Sequence, residues 1–265
     1  MTIGLKPIAW LFVSILMMLG VTGCMFTSEK QMTKRMFDYL EEKYGGTYEK
    51  EFYEKGSTLF PDMYGGAKMM VHPVGQPDLP FYVFKSRKSE GFIDDYVLCY
   101  FSYRYTEKYK HEIEELDDRD LIVQLALGFA DEPQDPATLD ISLEDFVADK
   151  NREGRLFLYV AVPVAEERVP DDDSALWNKL YDKMSTLTDR NFSVSVAYVK
   201  QESYQDALDS ARIAFAVNFS WKYMRDGFIQ DVYFERDDLI SDPQYFQRYY
   251  LNKNAEGRFD DDSKG

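Results

Sequence analysis

Residues 155–164, Arg155 through Val164, read RLFLYVAVPV. Seven of them, LFLYVAV, are apolar without interruption, and a strand with one face in water would alternate instead. The run is read as a strand buried on both faces and therefore central in a sheet. Leu121–Ala130 is a second nearly continuous apolar run of the same character. Between them, Ser142 caps a short helix that extends to about Asn151. Downstream, Asp171–Ser174 precedes a helix with Leu176, Leu180, Met184 and Leu187 in register, flanked by Trp177 and Tyr181.

Phe192, Val194, Val196 and Tyr198 alternate with Ser193, Ser195 and Ala197, which predicts a half-buried strand. Ser203–Ser210 is a short helix or loop. Ile213, Phe215, Val217, Phe219 and Trp221 alternate more strictly still, and Asp226-Gly227 supplies a hairpin turn into Phe228–Phe234. Ser241-Asp242-Pro243 opens a short aromatic segment ending near Leu251, and residues 252–265 are polar, charged and expected to be disordered.

Upstream, Leu98, Phe101, Tyr105, Tyr109, Ile113 and Leu116 recur at steps of three or four, a long helical stripe that Asp94 or Asp95 can cap; Asp117–Asp120 follows as a polar turn. A strand over Tyr96–Tyr105 leading into a shorter helix is the alternative. Pro61, Gly65, Gly66, Pro73, Gly75, Pro77 and Pro80 punctuate the preceding stretch, leaving room for short strands at Tyr48–Lys55, Lys68–His72 and Phe81–Lys85. Ser28 and Gln31 fit a capping box for a helix carrying Met32, Met36, Leu40 and Tyr44, stopped by Gly45-Gly46. The fold class is α+β, with helices packed on a mostly antiparallel sheet. A helix followed by three strands stands near each end of the chain, which raises an old duplication, although no residue-level repeat is visible.

The first 23 residues have a different character. Lys6 precedes an uncharged run, Ile8–Leu19, of signal-peptide length. Val21-Thr22-Gly23-Cys24 follows and resembles the lipobox of bacterial lipoproteins, whose usual form is Leu-(Ala/Ser)-(Gly/Ala)-Cys. Gly23 and Cys24 match that pattern, while Val21 and Thr22 are variants of it. The resemblance implies that Cys24 receives a diacylglycerol and becomes the first mature residue, tethering the chain to the outer side of the cell membrane. The alternative is an uncleaved signal anchor, which also leaves the later residues outside the cytoplasm. The expected organisation is a signal peptide at 1–23, an extracytoplasmic α+β domain at 24–251, with a split into two subdomains near 131–142 considered, and a tail at 252–265.

The full sequence has a formal charge of −16; its first 23 residues hold one Lys and no acid, so the mature chain carries −17. That balance repels nucleic-acid phosphates and anionic lipid headgroups, so nucleic acid is not expected as a partner and the membrane contact is the lipid on Cys24. With Cys24 acylated, Cys99 is the one remaining cysteine. It has no intramolecular disulfide partner, and it reads as a buried small apolar residue rather than a nucleophile.

No motif reaches a specific reaction. His111-Glu112-Ile113-Glu114-Glu115 has Glu115 where a zinc helix needs its second histidine, and His72, the other histidine, precedes a proline. Asp171-Asp172-Asp173 lacks the glycine and glutamate of a calcium loop and reads as a helix start. Asp131, Glu132 and Asp135, and Asp260–Asp262, are further acidic loops read as solvated. Tyr96, Tyr100, Tyr103, Tyr105 and Tyr109 suit a ligand groove or, as we read them, core with its amphipathic margin. No cofactor or metal is expected. The layout resembles that of surface lipoproteins of Gram-positive bacteria, and the expected function is non-catalytic binding of a protein or peptide partner, with a basic partner favoured by charge. A solute-binding lipoprotein of an importer and a cell-envelope hydrolase with paired carboxylates are the alternatives.

Overall fold

The computed structural model describes residues 28–56, 66–86, 90–128, 135–165, 173–216, 219–221, 224 and 226–236. The leader with Cys24, the acids Asp131, Glu132, Asp171 and Asp172, the Ser241–Leu251 segment, and the 252–265 tail with Asp260–Asp262 lie outside the described residues.

Ser28 starts helix α1 (Glu29–Tyr44) by the reciprocal cap its sequence predicts: its hydroxyl accepts from the Gln31 amide at 3.3 Å, and the Gln31 side chain accepts from the Ser28 amide at 3.2 Å. Met36 and Leu40 bury one side of the helix, and Gly45, at φ +71°, ends it. Strands β1 (Tyr48–Glu54), β2 (Lys68–Pro73), β3 (Phe81–Lys85) and β4 (Phe92–Asp94) then form an all-antiparallel sheet in chain order. The first three match the sequence reading. The three-residue β4 is too short to leave a periodic signal.

Asp95 leads into α2 (Tyr96–Glu114), so the helical reading of this stripe holds over the strand alternative. A second sheet follows, of β5 (Ile122–Leu127), β6 (Leu156–Val164), β7 (Phe192–Lys200) and β8 (Phe228–Glu235) in that order. Between β5 and β6 the short α3 (Leu143–Asp145), capped by Ser142, passes into one π-helical turn. Strands β6 and β7 are parallel, joined through α4 (Ser174–Leu187); the other pairs are antiparallel. The architecture is α+β with two mostly antiparallel sheets. The sheets differ in connectivity, one a pure meander and the other with a parallel crossover, which argues against a duplication.

One face of the second sheet, including Leu125, Leu158, Val160, Val194, Val196 and Phe234, packs on Leu98, Phe101 and Tyr105 of α2 and on Trp177, Leu180 and Met184 of α4. Its opposite face meets α5 (Tyr204–Arg212) and Trp221 at one end and the first sheet at the other. Coverage on both faces is why LFLYVAV has no polar alternation.

Three expectations are corrected. Strand β7 is not half-buried: Ser193 and Ala197 are 1% and 0% exposed, and at Ala197 the covering groups are Trp221 and α5. Ile213–Ala216 forms turns after α5 rather than a strand, and β8 pairs with β7 instead of closing a hairpin on that segment. Strand β5 is at the sheet's edge, not its centre, and is buried because α2 lies along it. Ser102 Oγ accepts from the Leu127 amide at 2.9 Å and Thr106 Oγ1 from the Leu125 amide at 3.0 Å, so two helix hydroxyls replace the missing neighbour strand.

Candidate functional site

The two sheets approach each other without filling the space between them. A cleft of about 610 Å³ remains, and its walls come from six parts of the chain. Lys68, Tyr82 and Phe84 face it from β2 and β3. Ala126, Leu127, Gly128, Phe157 and Tyr159 face it from β5 and β6. Asp95 and Leu98 close it from the start of α2, the turn Ala214–Ala216 from behind, and Glu153 and Arg155 stand on its rim.

Local sequence explains the opening. Ala126, Ala214 and Ala216 leave short side chains where larger ones would meet. Gly128 is required by close approach: a Cβ there would be 2.9 Å from the Phe157 ring and 3.0 Å from the Arg155 carbonyl, which accepts the Gly128 amide at 2.6 Å. Aromatic walls and few polar groups are the usual composition of a site that takes apolar parts of a ligand.

Two adjacent acids precede α2, and the fold treats them differently. Asp94 is saturated: its carboxylate accepts from Tyr39 at 2.6 Å, Tyr44 at 2.7 Å, Lys43 at 2.6 Å and the Tyr96 amide at 3.1 Å. It pins α1 to the end of the first sheet. Asp95 takes the N-cap position without a side-chain cap bond; its Oδ1 accepts from the Tyr82 amide at 2.6 Å. Burial pushes Asp95 well above the usual carboxylate range, against the Tyr82 amide, and the charge of Asp94 adds to the rise. Cys99 is fully buried beneath it, its thiol facing the Asp95 carboxyl and, at 3.6 Å, the Phe215 carbonyl. Burial raises that thiol too, which leaves it protonated and inert. Tyr159, raised by burial to about 12, is a neutral wall residue.

Lys68 and Arg155 reach the cleft already neutralised. Lys68 pairs with Glu54 at 3.0 Å, and Arg155 grips Glu235 through two nitrogens at 3.0 and 3.2 Å. A second hollow, of about 380 Å³ and more polar, lies beside α2 and α5. Near it Arg212 forks onto Glu51 at 2.8 and 2.6 Å, and Glu51 also meets His72 Nδ1 at 2.8 Å, which ties α5 to β1 and β2.

The residues singled out from sequence are elsewhere. His111 is exposed near Glu114 and Glu115 on the last turn of α2, and His72 lies in β2 between Glu49 and Glu51. Asp135 caps the turn Pro136–Asp140. Asp173 does not cap α4 with its side chain as expected; Arg119 at 2.9 Å and the Tyr198 hydroxyl at 2.6 Å occupy its carboxylate. None of the five α2 tyrosines lines the larger cleft. Tyr105 is buried, and the others pack on the core margins. The cleft residues escaped sequence reading because they are scattered from 68 to 216. The one local signal was a pair of acids, Asp94-Asp95, embedded between aromatic segments.

Among the described residues no helix is long and apolar enough to cross a membrane. No protein-family model matches the chain, and no curated protein matches it in sequence. Its fold is similar to the crystal structure of a DUF5037 family protein from Ruminococcus gnavus, with a TM-score of 0.51 at 16% identity over 84% of this chain and 100% of that one. At that identity the likeness carries the architecture alone.

Proposed function

We propose that this chain is a lipid-anchored extracytoplasmic protein that holds a segment of a protein or peptide partner in the cleft between its two sheets and performs no chemistry on it. The cleft carries the reading. At about 610 Å³ it falls within the range of roughly 300–1,000 Å³ usual for binding sites, and Tyr82, Phe84, Leu98, Phe157 and Phe215 give it an apolar lining suited to a partner's side chains. Its reactive-looking groups are poorly placed for catalysis: the Cys99 thiol is buried and protonated, and Arg155 is locked to Glu235. The leader supports the address, since a diacylated Cys24 is a two-chain anchor and each buried CH2 contributes roughly 0.8 kcal/mol.

Two measurements test the two halves of this reading. Mass spectrometry of the native protein is expected to find a diacylglyceryl group on Cys24 at the mature N-terminus. An intact leader with a free thiol refutes the anchor. A photoreactive phenylalanine analogue at Phe84, on the cleft wall, is expected to crosslink one partner segment at the cell surface, whereas the same analogue at exposed Phe52 on β1 is not. Equal labelling from both positions refutes the cleft as the binding site.

A further inference from the structure

The charge pattern of the cleft specifies its occupant. Asp94 and Asp95 are both buried, but only Asp94 has a counter-ion, Lys43 at 2.6 Å. Asp95, 6% exposed, forms no ion pair among the described residues. Its polar contacts are the Tyr82 amide, its own backbone amide and the Cys99 thiol, a weak donor, none of them charged, whereas a carboxylate offers about four acceptor positions. The cations that line the cleft cannot serve it without leaving partners of their own, Glu54 for Lys68 and Glu235 for Arg155. Glu153 on the rim is exposed and also forms no ion pair among the described residues. Once these pairs are set aside, the uncompensated charge of the cleft is negative, within a chain that is strongly acidic overall.

We propose that the occupant is a basic peptide segment that lays apolar side chains against Phe84, Phe157 and Tyr159 and places a lysine ammonium on the Asp95 carboxylate. This rests on the cleft being the binding site and names the chemistry of the partner. A buried carboxylate without a partner costs several kcal/mol, so the empty cleft keeps Asp95 in its neutral form. Lysine enters as an ammonium. The acid loses its proton to solvent, the ammonium keeps all of its own, and a buried ion pair forms with one proton released. Binding therefore strengthens as pH rises toward the value at which Asp95 ionises unaided. The other titratable groups around the cleft are Asp94 and Cys99 from the same segment, Tyr82 from β3, Lys68 from β2, and Glu153, Arg155 and Tyr159 at β6. Of these, Cys99, Tyr82 and Tyr159 are raised by burial and stay neutral near pH 7.

The test uses the full-length protein in detergent and a capped pentapeptide, Ala-Phe-Lys-Phe-Ala, beside its norleucine counterpart, which keeps the side-chain length and loses the charge. Titration calorimetry in two buffers of different ionisation enthalpy counts protons. The lysine peptide is expected to bind roughly tenfold or more tighter than the norleucine peptide at pH 7.5, releasing close to one proton. Asp95→Asn, which retains an oxygen for the Tyr82 amide, is expected to remove both the preference and the proton release. Glu153→Gln is expected to leave the proton release intact. Equal binding of the two peptides, no proton release, or an unchanged preference in Asp95→Asn overturns the proposal. So does 4-phenylbutylamine matching the lysine peptide in affinity, which would make the ligand a small amine. If both peptides bind but Phe84→Ala weakens neither, the cleft itself is the wrong site, a failure distinct from a wrong charge.

Discussion

Replacing Thr106 by Val removes one hydroxyl at nearly constant volume and tests how the second sheet survives with β5 at its edge. Thr106 Oγ1 accepts from the Leu125 amide at 3.0 Å and from Gln124 Nε2 at 2.9 Å, and it donates to the Ser102 or the Leu125 carbonyl, at 3.0 and 2.9 Å. Leu125 is fully buried, so no water can replace the lost acceptor. A buried amide left without a partner costs about 1–3 kcal/mol. Gln124 keeps the Leu125 carbonyl at 3.2 Å, so its loss is smaller, about 0.5–1 kcal/mol. The added methyl returns up to roughly 0.8 kcal/mol. The net expectation is a destabilisation of about 2 kcal/mol, read as a lower urea midpoint at unchanged slope. The Leu125 amide should also exchange with solvent faster than its neighbours in β6. Thr106→Ser, which keeps the hydroxyl, should lose only the methyl term, about 1 kcal/mol. A Thr106→Val loss below about 0.5 kcal/mol, or undiminished protection of the Leu125 amide, would refute the view that helix hydroxyls stand in for a strand.

Three further perturbations probe the contacts that hold the layers. Burial alone would raise Glu51, but the Arg212 fork and His72 outweigh it and hold the carboxyl below its usual range. The stability it contributes is therefore present above a pH of about 4.3 and fades as pH falls through the lower folded value; the gap in urea midpoint between wild type and Glu51→Gln should shrink as pH falls below about 4. Tyr198→Phe removes the hydroxyl that accepts from the Trp177 indole N–H at 2.9 Å and donates to the Asp173 carboxylate at 2.6 Å, and should cost about 1–3 kcal/mol with a changed near-ultraviolet dichroism of Trp177. Gly227→Ala places a Cβ 2.2 Å from that of Ser203 at φ +79°; Ser203→Gly should recover the clash but leave a left-handed penalty of about 1–2 kcal/mol, seen in thermal unfolding of the double variant.

Much of the chain was legible because its elements are marked locally. The capping box at Ser28, the stripe from Leu98 to Leu116, and the apolar runs of β5 and β6 each announce themselves within a dozen residues. What stayed hidden shares one cause: small side chains were read for polarity when the fold uses them for space. Ser193 and Ala197 look like the wet side of β7, yet both are buried, and Ala197 packs in one cluster with Trp221. Ile213, Phe215 and Trp221 look like one strand because they alternate, yet they anchor two different surfaces. Ile213 and Phe215 go to the first sheet's cluster, and Trp221 goes to the back of β7. The cleft belongs to the same pattern, since Ala126, Ala214 and Ala216 are small residues whose short side chains leave the space between the sheets open. On the face of β7 such gaps are filled from within the chain, so they contribute to stability. Between the sheets they are not, and beside them stands Asp95, a buried acid whose neighbour Asp94 holds Lys43. An unfilled apolar space next to an uncompensated carboxyl is an arrangement that stability alone does not favour, and that is the physical reason to look for its complement in another molecule.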